Sequence, residues 1–342
     1  MKKYFDSIIG NNAIKERLSL DIESKKVSHA YIFEGEDGCG RHTLAYQLAA
    51  AISCQNKDAK ISPCGECVNC KKIFSSLSPD VVPLGVAHDK VTIGVETARY
   101  IKDDICTAPN GLPIKMYIIE DADKMTMQAQ NALLLSLEEP PAYVIFILLC
   151  KDSSVLLETI RSRAITFHLE KLSLDDISRY LCEKYPKAKE LKTDSPEEFN
   201  EILFASNGTL GRAISLLDDK DRKKEMAERA ITKAFIETAL NRSKVSIFDM
   251  MSSLGSKRAD IIPRLMKIQH ALRDLILLKK ADSPELVFYS DIEYATEIST
   301  KFTLERLIDM YSALEVAIED LKANANVRLS LLSMMYAAGL VD

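Results

Sequence analysis

Ala30-Tyr31-Ile32-Phe33-Glu34-Gly35-Glu36-Asp37-Gly38-Cys39-Gly40-Arg41-His42-Thr43 is the stretch on which the reading of the fold turns. An apolar run, a loop holding three glycines and the helical run Leu44 to Ser53 spell strand, phosphate-binding loop and helix. In such a loop, glycines let successive N–H groups turn onto phosphate oxygens at a helix N-terminus. A lysine reaches the β and γ phosphates, and a hydroxyl ligates magnesium. Here Gly35, Gly38 and Gly40 are kept, but the reactive side chains are not. Arg41 stands where the lysine belongs, and its planar fork does not replace a compact ammonium. His42 takes the place of the Ser/Thr and removes the magnesium-binding oxygen. Thr43 comes one residue late, rotated about 100° around the helix. The loop reads either as a tight turn that binds nothing or as a site of weak nucleotide or anion affinity.

Four more apolar runs follow at intervals filled by helical or loop sequence: Val81 to Leu84, Met116 to Glu120, Val144 to Cys150 and Ile165 to Leu169. Their nearly continuous apolar character predicts a parallel sheet covered on both faces. The third run ends in Glu120-Asp121, where an ATPase of this kind carries Asp-Glu, the Asp organising magnesium and the Glu orienting water. The order is inverted, and Asp121 is one methylene short for water orientation. A pair of carboxylates at an exposed strand end is the plain alternative. Before Pro140, the residues Ala132, Leu133, Leu135 and Leu137 keep helical spacing. After about Leu169 the strand signal stops. The rest reads as amphipathic helices with Glu, Lys and Arg on their outer faces, broken near Pro186, Ser195-Pro196, Asn207-Gly208, Gly255 and Ser283-Pro284.

The chain has 342 residues and is 47% hydrophobic, enough for more than one core. Its net charge of -5 lacks the basic excess of a stand-alone nucleic-acid binder, so DNA contact is expected to be local or made within an assembly. The longest apolar run is far below the roughly 20 residues of a membrane span. With no signal-peptide core at MKKYFDSIIG, the expectation is a cytoplasmic protein without membrane contact.

Of eight cysteines, Cys54, Cys64, Cys67 and Cys70 are spaced C-x9-C-x2-C-x2-C. Four thiolates suit a tetrahedral structural Zn2+ site, closed to water, with reduced unliganded thiols as the alternative. Cys39, Cys106, Cys150 and Cys182 read as small apolar residues. His42 and His88 read as ordinary surface or loop residues rather than ligands.

Three stretches carry a family likeness: Ser28-His29-Ala30-Tyr31-Ile32-Phe33-Glu34-Gly35, Asn131-Ala132-Leu133-Leu134-Leu135-Ser136-Leu137-Glu138-Glu139-Pro140-Pro141, and Thr159-Ile160-Arg161-Ser162-Arg163. In order and approximate spacing they resemble the clamp-loader AAA+ subunits of bacterial DNA polymerase III, and among these the delta prime type. The resemblance covers roughly residues 5 to 217. It implies an α/β AAA+ P-loop domain with a parallel sheet over residues 1–168, carrying a four-cysteine zinc insert at 54–72. An α-helical lid would follow at 169–220, and an α-helical collar, the oligomerisation domain, at 221–342. It implies a subunit that is not catalytic alone. Arg163 would be an arginine finger acting in trans on a neighbour's ATP site, with Ser162 beside it in the family's Ser-Arg-Cys motif; Ala164 departs from that Cys. The polar sensor residue of the family corresponds to Cys150, and the sensor arginine of the lid to Gly211, so both are lost. Gamma/tau and delta subunits, the sliding clamp and primed DNA are the implied partners. A gamma/tau-like subunit that hydrolyses ATP itself is the leading alternative. A nucleotide kinase lacks an acceptor motif here, and a zinc-dependent DNA binder is opposed by the acidic balance.

Overall fold

A computed structural model describes all residues except 1–2, 57, 88–89, 242–251, 282–283, 285 and 341–342. His88 and Ser283 therefore lie outside the described residues. The chain divides into two compact units, Met1–Ile177 with Gly208–Gly211, and Ser178–Asn207 with Arg212–Asp342.

The first unit is built on the five expected strands, each found within one residue of its apolar run: β2 (Ala30–Glu34), β4 (Val81–Leu84), β5 (Lys115–Ile119), β6 (Val144–Cys150) and β7 (Ile165–His168). They form one sheet in the order β4-β5-β6-β2-β7, with every neighbouring pair parallel. Side chains alternate across it, and both faces are apolar. Tyr31, Phe33, Met116, Ile118, Ile145 and Ile147 join one core. Ala30, Ile32, Tyr117, Ile119, Phe146 and Leu148 join the other. That double burial is why the runs are apolar throughout rather than alternating. Helices α1 (Asn12–Glu23), α2 (Arg41–Ser53) and α3 (Val68–Phe74) supply the first core, and α4 (Val95–Asp104), α5 (Met127–Glu138) and α6 (Glu158–Arg161) the second.

Two features depart from the sequence reading. A second ladder pairs β1 (Lys3–Tyr4) with β3 (Ile61–Ser62) in parallel. Within α5, Leu133 and Leu137 are buried but Leu135 is 66% exposed, because it points away from the sheet.

The second unit is helical, and Pro186 and Pro196 each open a helix at its first position, where the missing N–H is no loss. One core joins Phe235, Ile261, Leu265, Leu272, Leu314 and Met335 among others. The expectation of charges on outer faces fails at two places. Asp274 is fully buried, and both of its carboxylate oxygens accept backbone N–H groups: Val287 at 2.9 and 3.1 Å, Phe288 at 2.7 Å and Tyr289 at 3.2 Å. Glu225 is buried and pairs with Arg212, Arg229 and Lys267. Among the described residues no helix is long and apolar enough to cross a membrane.

Candidate functional site

The glycine loop joins β2 to α2 as its sequence demands. Gly38 and Gly40 have φ of 82° and 103°, in the left-handed region that favours glycine, and Gly40 is the residue from which α2 starts. What faces the loop is not a vacant cradle. Arg41 is 5% exposed, and its Nη2 donates to Asp37 Oδ1 at 2.9 Å. Lys151 pairs with the other oxygen of Asp37. Nη1 of Arg41 is buried without a hydrogen-bond partner, an orphan donor that an anion could satisfy. His42 Nδ1 lies 3.3 Å from Glu120 Oε1.

The acidic pair is thus brought to the loop, but each member is already engaged. Asp121 sits in a left-handed backbone conformation, with φ of 51°, and accepts from Lys124 at 2.8 Å. The hydrogen bond from that ammonium holds its carboxyl below the usual Asp range. At the end of β6, Cys150 is fully buried, and burial pushes its thiol up to about 12, so it stays a neutral, weak donor.

Gly211 lies against the loop. Its N–H donates to Gly38 O at 2.9 Å, and a Cβ placed on it would lie 2.8 Å from Gly38 Cα. Two main chains meet there, with room for no side chain between them. No sequence signal gives this contact, since a glycine beside Arg212 reads as an ordinary helix start.

Arg163 lies on another part of the same unit, just past α6. Nη1 donates to Thr159 O at 2.9 Å, and Nη2 pairs with Glu138 Oε1 at 2.9 Å. Ser162 Oγ donates to the same Thr159 carbonyl at 3.1 Å, so one oxygen orients both residues of the Ser-Arg pair. The side chain remains 35% exposed. Two stretches of the sequence likeness, one ending at Glu138-Glu139-Pro140-Pro141 and one at Ser162-Arg163, therefore meet in a single ion pair.

The four spaced cysteines converge. Their sulfurs all lie within 4.8 Å of one another, against an edge of about 3.8 Å for a tetrahedron with Zn–S bonds of about 2.3 Å. Cys54 ends α2, Cys67 precedes α3 and Cys70 lies on it, so the cluster ties the two helices together. Burial opposes ionisation of Cys67, yet backbone hydrogen bonds at Cys70 and Gln55 and the neighbouring thiols bring it down to about 6, while burial pushes Cys70 up. An all-sulfur donor set at these distances fits zinc, which would hold the insert closed and leave no position for water. Of the other cysteines, Cys150 is buried as expected, but Cys106 is exposed.

The family model described as "DNA polymerase III, delta subunit" matches residues 10–173. A DNA polymerase III subunit gamma of Buchnera aphidicola subsp. Acyrthosiphon pisum is 33% identical over 217 residues, covering 63% of this chain and 58% of its own. The DNA polymerase III subunit tau of Bacillus subtilis is 28% identical over 333 residues, covering 93% of this chain and 58% of its own. The chain thus spans less than two thirds of the length of these relatives. Among solved structures, a DNA polymerase III gamma subunit-related protein of Thermotoga maritima aligns over 94% of this chain and 98% of its own, at 20% identity and a TM-score of 0.40.

Proposed function

We infer that, within the clamp-loader AAA+ family that the family model and the relatives support, this chain is the non-hydrolysing, delta prime type of subunit in a DNA polymerase III assembly. The observation that carries this reading is the state of its own loop. Arg41 is committed to Asp37, His42 to Glu120 and Asp121 to Lys124, and Gly211 lies on Gly38 where a lid arginine would reach a phosphate. Each group that would hold magnesium or position water is replaced or engaged, so ATP or ADP binds the loop weakly or not at all. The orphan Nη1 of Arg41 is the feature that favours residual anion affinity.

The chain's contribution is then made in trans. The planar fork of Arg163 can bracket phosphate oxygens that gain charge in the transition state of a neighbour's ATP. Thr159 O and Glu138 hold the guanidinium in place before docking, which lowers the entropy lost on engagement. The lid at 169–220 and the collar at 221–342 complete the subunit. Gamma/tau and delta subunits are its partners, and the sliding clamp and primed DNA are met through the assembly in the cytoplasm. Zn2+ in the four-cysteine insert has a structural role only.

The relatives' names favour a second reading, a gamma/tau-type subunit that hydrolyses ATP itself. Assay of the isolated chain separates the two. The expected outcome is no measurable ATP turnover. A rate on the order of 1 per second that vanishes in Asp121→Ala would decide for the gamma/tau type.

A metal measurement tests the insert independently. Elemental analysis of protein purified without added metal is expected to give about one zinc per chain. Cys67→Ser should lose it and loosen residues 54–72, leaving the sheet intact by circular dichroism. Metal-free protein with unchanged protection of the insert against hydrogen exchange would mean that the thiols are unliganded.

A further inference from the structure

The helical unit holds a cavity of about 310 Å³ between Pro196–Ala205, Asp219–Asn241 and the segment 288–294. That volume lies at the lower end of those of small-molecule sites. Its lining is aromatic at Phe288, Tyr289 and Tyr294 and aliphatic at Ile202, Leu216 and Met226. Most charges around it are spent. Glu225 is shared by Arg212, Arg229 and Lys267, and Arg222 by Glu198 and Asp219. Asp291 caps the following helix by accepting the N–H groups of Glu293 and Tyr294.

The groups left over are mostly donors. Tyr289 is 4% exposed, yet its hydroxyl has no hydrogen-bond partner among the described residues, and burial raises its pKa, so it keeps its proton. Lys233 lies over the Tyr294 ring at 5.8 Å from the centroid, without an ion-pair partner among the described residues. Arg229 is held through Nε by Glu225 and through Nη1 by Phe288 O, which leaves Nη2. A phenol that opens onto a cavity and has no protein acceptor can donate to a bound one. Glu201 adds one negative charge to the lining near Arg229, which penalises ligands with several negative charges, such as nucleoside di- and triphosphates.

We propose that this cavity is a binding site for a small aromatic monocarboxylate, with its ring against Phe288, Tyr289 and Tyr294 and its carboxylate toward Lys233 and the Tyr289 hydroxyl. An occupant would touch Pro196–Ala205 on one side and Asp219–Asn241 on the other, tying these helices together. The site is separate from the glycine loop, the cysteine cluster and Arg163.

The test is calorimetric titration of the full chain with 2-naphthoate, alongside its uncharged analogue 2-naphthamide. One saturable site per chain is expected for the acid. The amide, and Lys233→Met with the acid, should each bind about tenfold more weakly, and Tyr289→Phe roughly threefold to tenfold more weakly. Lys233→Arg should keep most of the affinity, which separates loss of charge from loss of fold. The proposal is overturned if naphthoate shows no saturation up to about 10 mM, if the amide binds as well as the acid, or if Lys233→Met leaves the affinity unchanged.

Discussion

Arg163→Ala is expected to leave the chain folded, its zinc content unchanged and its assembly with gamma/tau and delta subunits nearly intact, while clamp loading by the reconstituted assembly falls steeply. The side chain is 35% exposed, and its contacts are one carbonyl and one carboxylate, so little of the fold depends on it. Arginine fingers in phosphoryl transfer contribute on the order of 10³ or more in rate. One site among several would lose its finger, so bulk ATP turnover should drop only in part. Clamp loading, which needs the sites to act together, should drop more. Arg163→Lys should rescue incompletely, since an ammonium lacks the planar fork. Glu138→Gln gives the complementary result: it frees the guanidinium from its ion pair, so activity should persist while assembly weakens modestly. Equal rates of ATP turnover and clamp loading for wild type and Arg163→Ala, with clamp and primed DNA both present, would make Arg163 an ordinary surface charge.

Asp274→Ala should destabilise the helical unit by about 3–5 kcal/mol, the range for removing one member of a buried charged network. The carboxylate has 0% exposure and receives three consecutive backbone N–H groups, from Val287, Phe288 and Tyr289, of which those of Phe288 and Tyr289 would be left buried without a partner. Asp274→Asn keeps the shape and one acceptor oxygen, so a smaller loss of about 1–2 kcal/mol is expected. Urea unfolding gives the free energies, and hydrogen exchange at residues 287–289 gives the location. A midpoint unmoved by the alanine variant would mean that water takes over the carboxylate's role. Because these bonds from Asp274 position Phe288 and Tyr289, the alanine variant should also abolish naphthoate binding.

The sheet was legible because burial on both faces leaves its mark along its central strands. Val144 to Cys150 is apolar at all seven positions, and all seven are buried. The cysteine cluster was legible for a different reason: its chemistry is confined to a short spacing, and Cys64, Cys67 and Cys70 are brought near Cys54 by one turn and one helix. The ladder of Lys3–Tyr4 with Ile61–Ser62 was not, since two-residue strands have no period to read. Nor was the burial of Asp274 or Glu225. In sequence each is an acid on a helix rich in Lys and Arg. What buries them is the return of a distant segment, 287–289 for Asp274 and Lys267 for Glu225. The phosphate loop lay between these cases. The departures at Arg41 and His42 were plain in the sequence, but their partners, Asp37 for Arg41 and Glu120 for His42, needed the fold.

The meeting of Gly211 and Gly38 sets a condition on any change made at this loop. Lysine and threonine placed at positions 41 and 42 would still leave the main chain of Gly211 resting on Gly38. Restoring arginine at position 211 first would drive its Cβ to 2.8 Å from the Cα of Gly38. A side chain at position 211 thus requires the two main chains to part and the hydrogen bond between them to break.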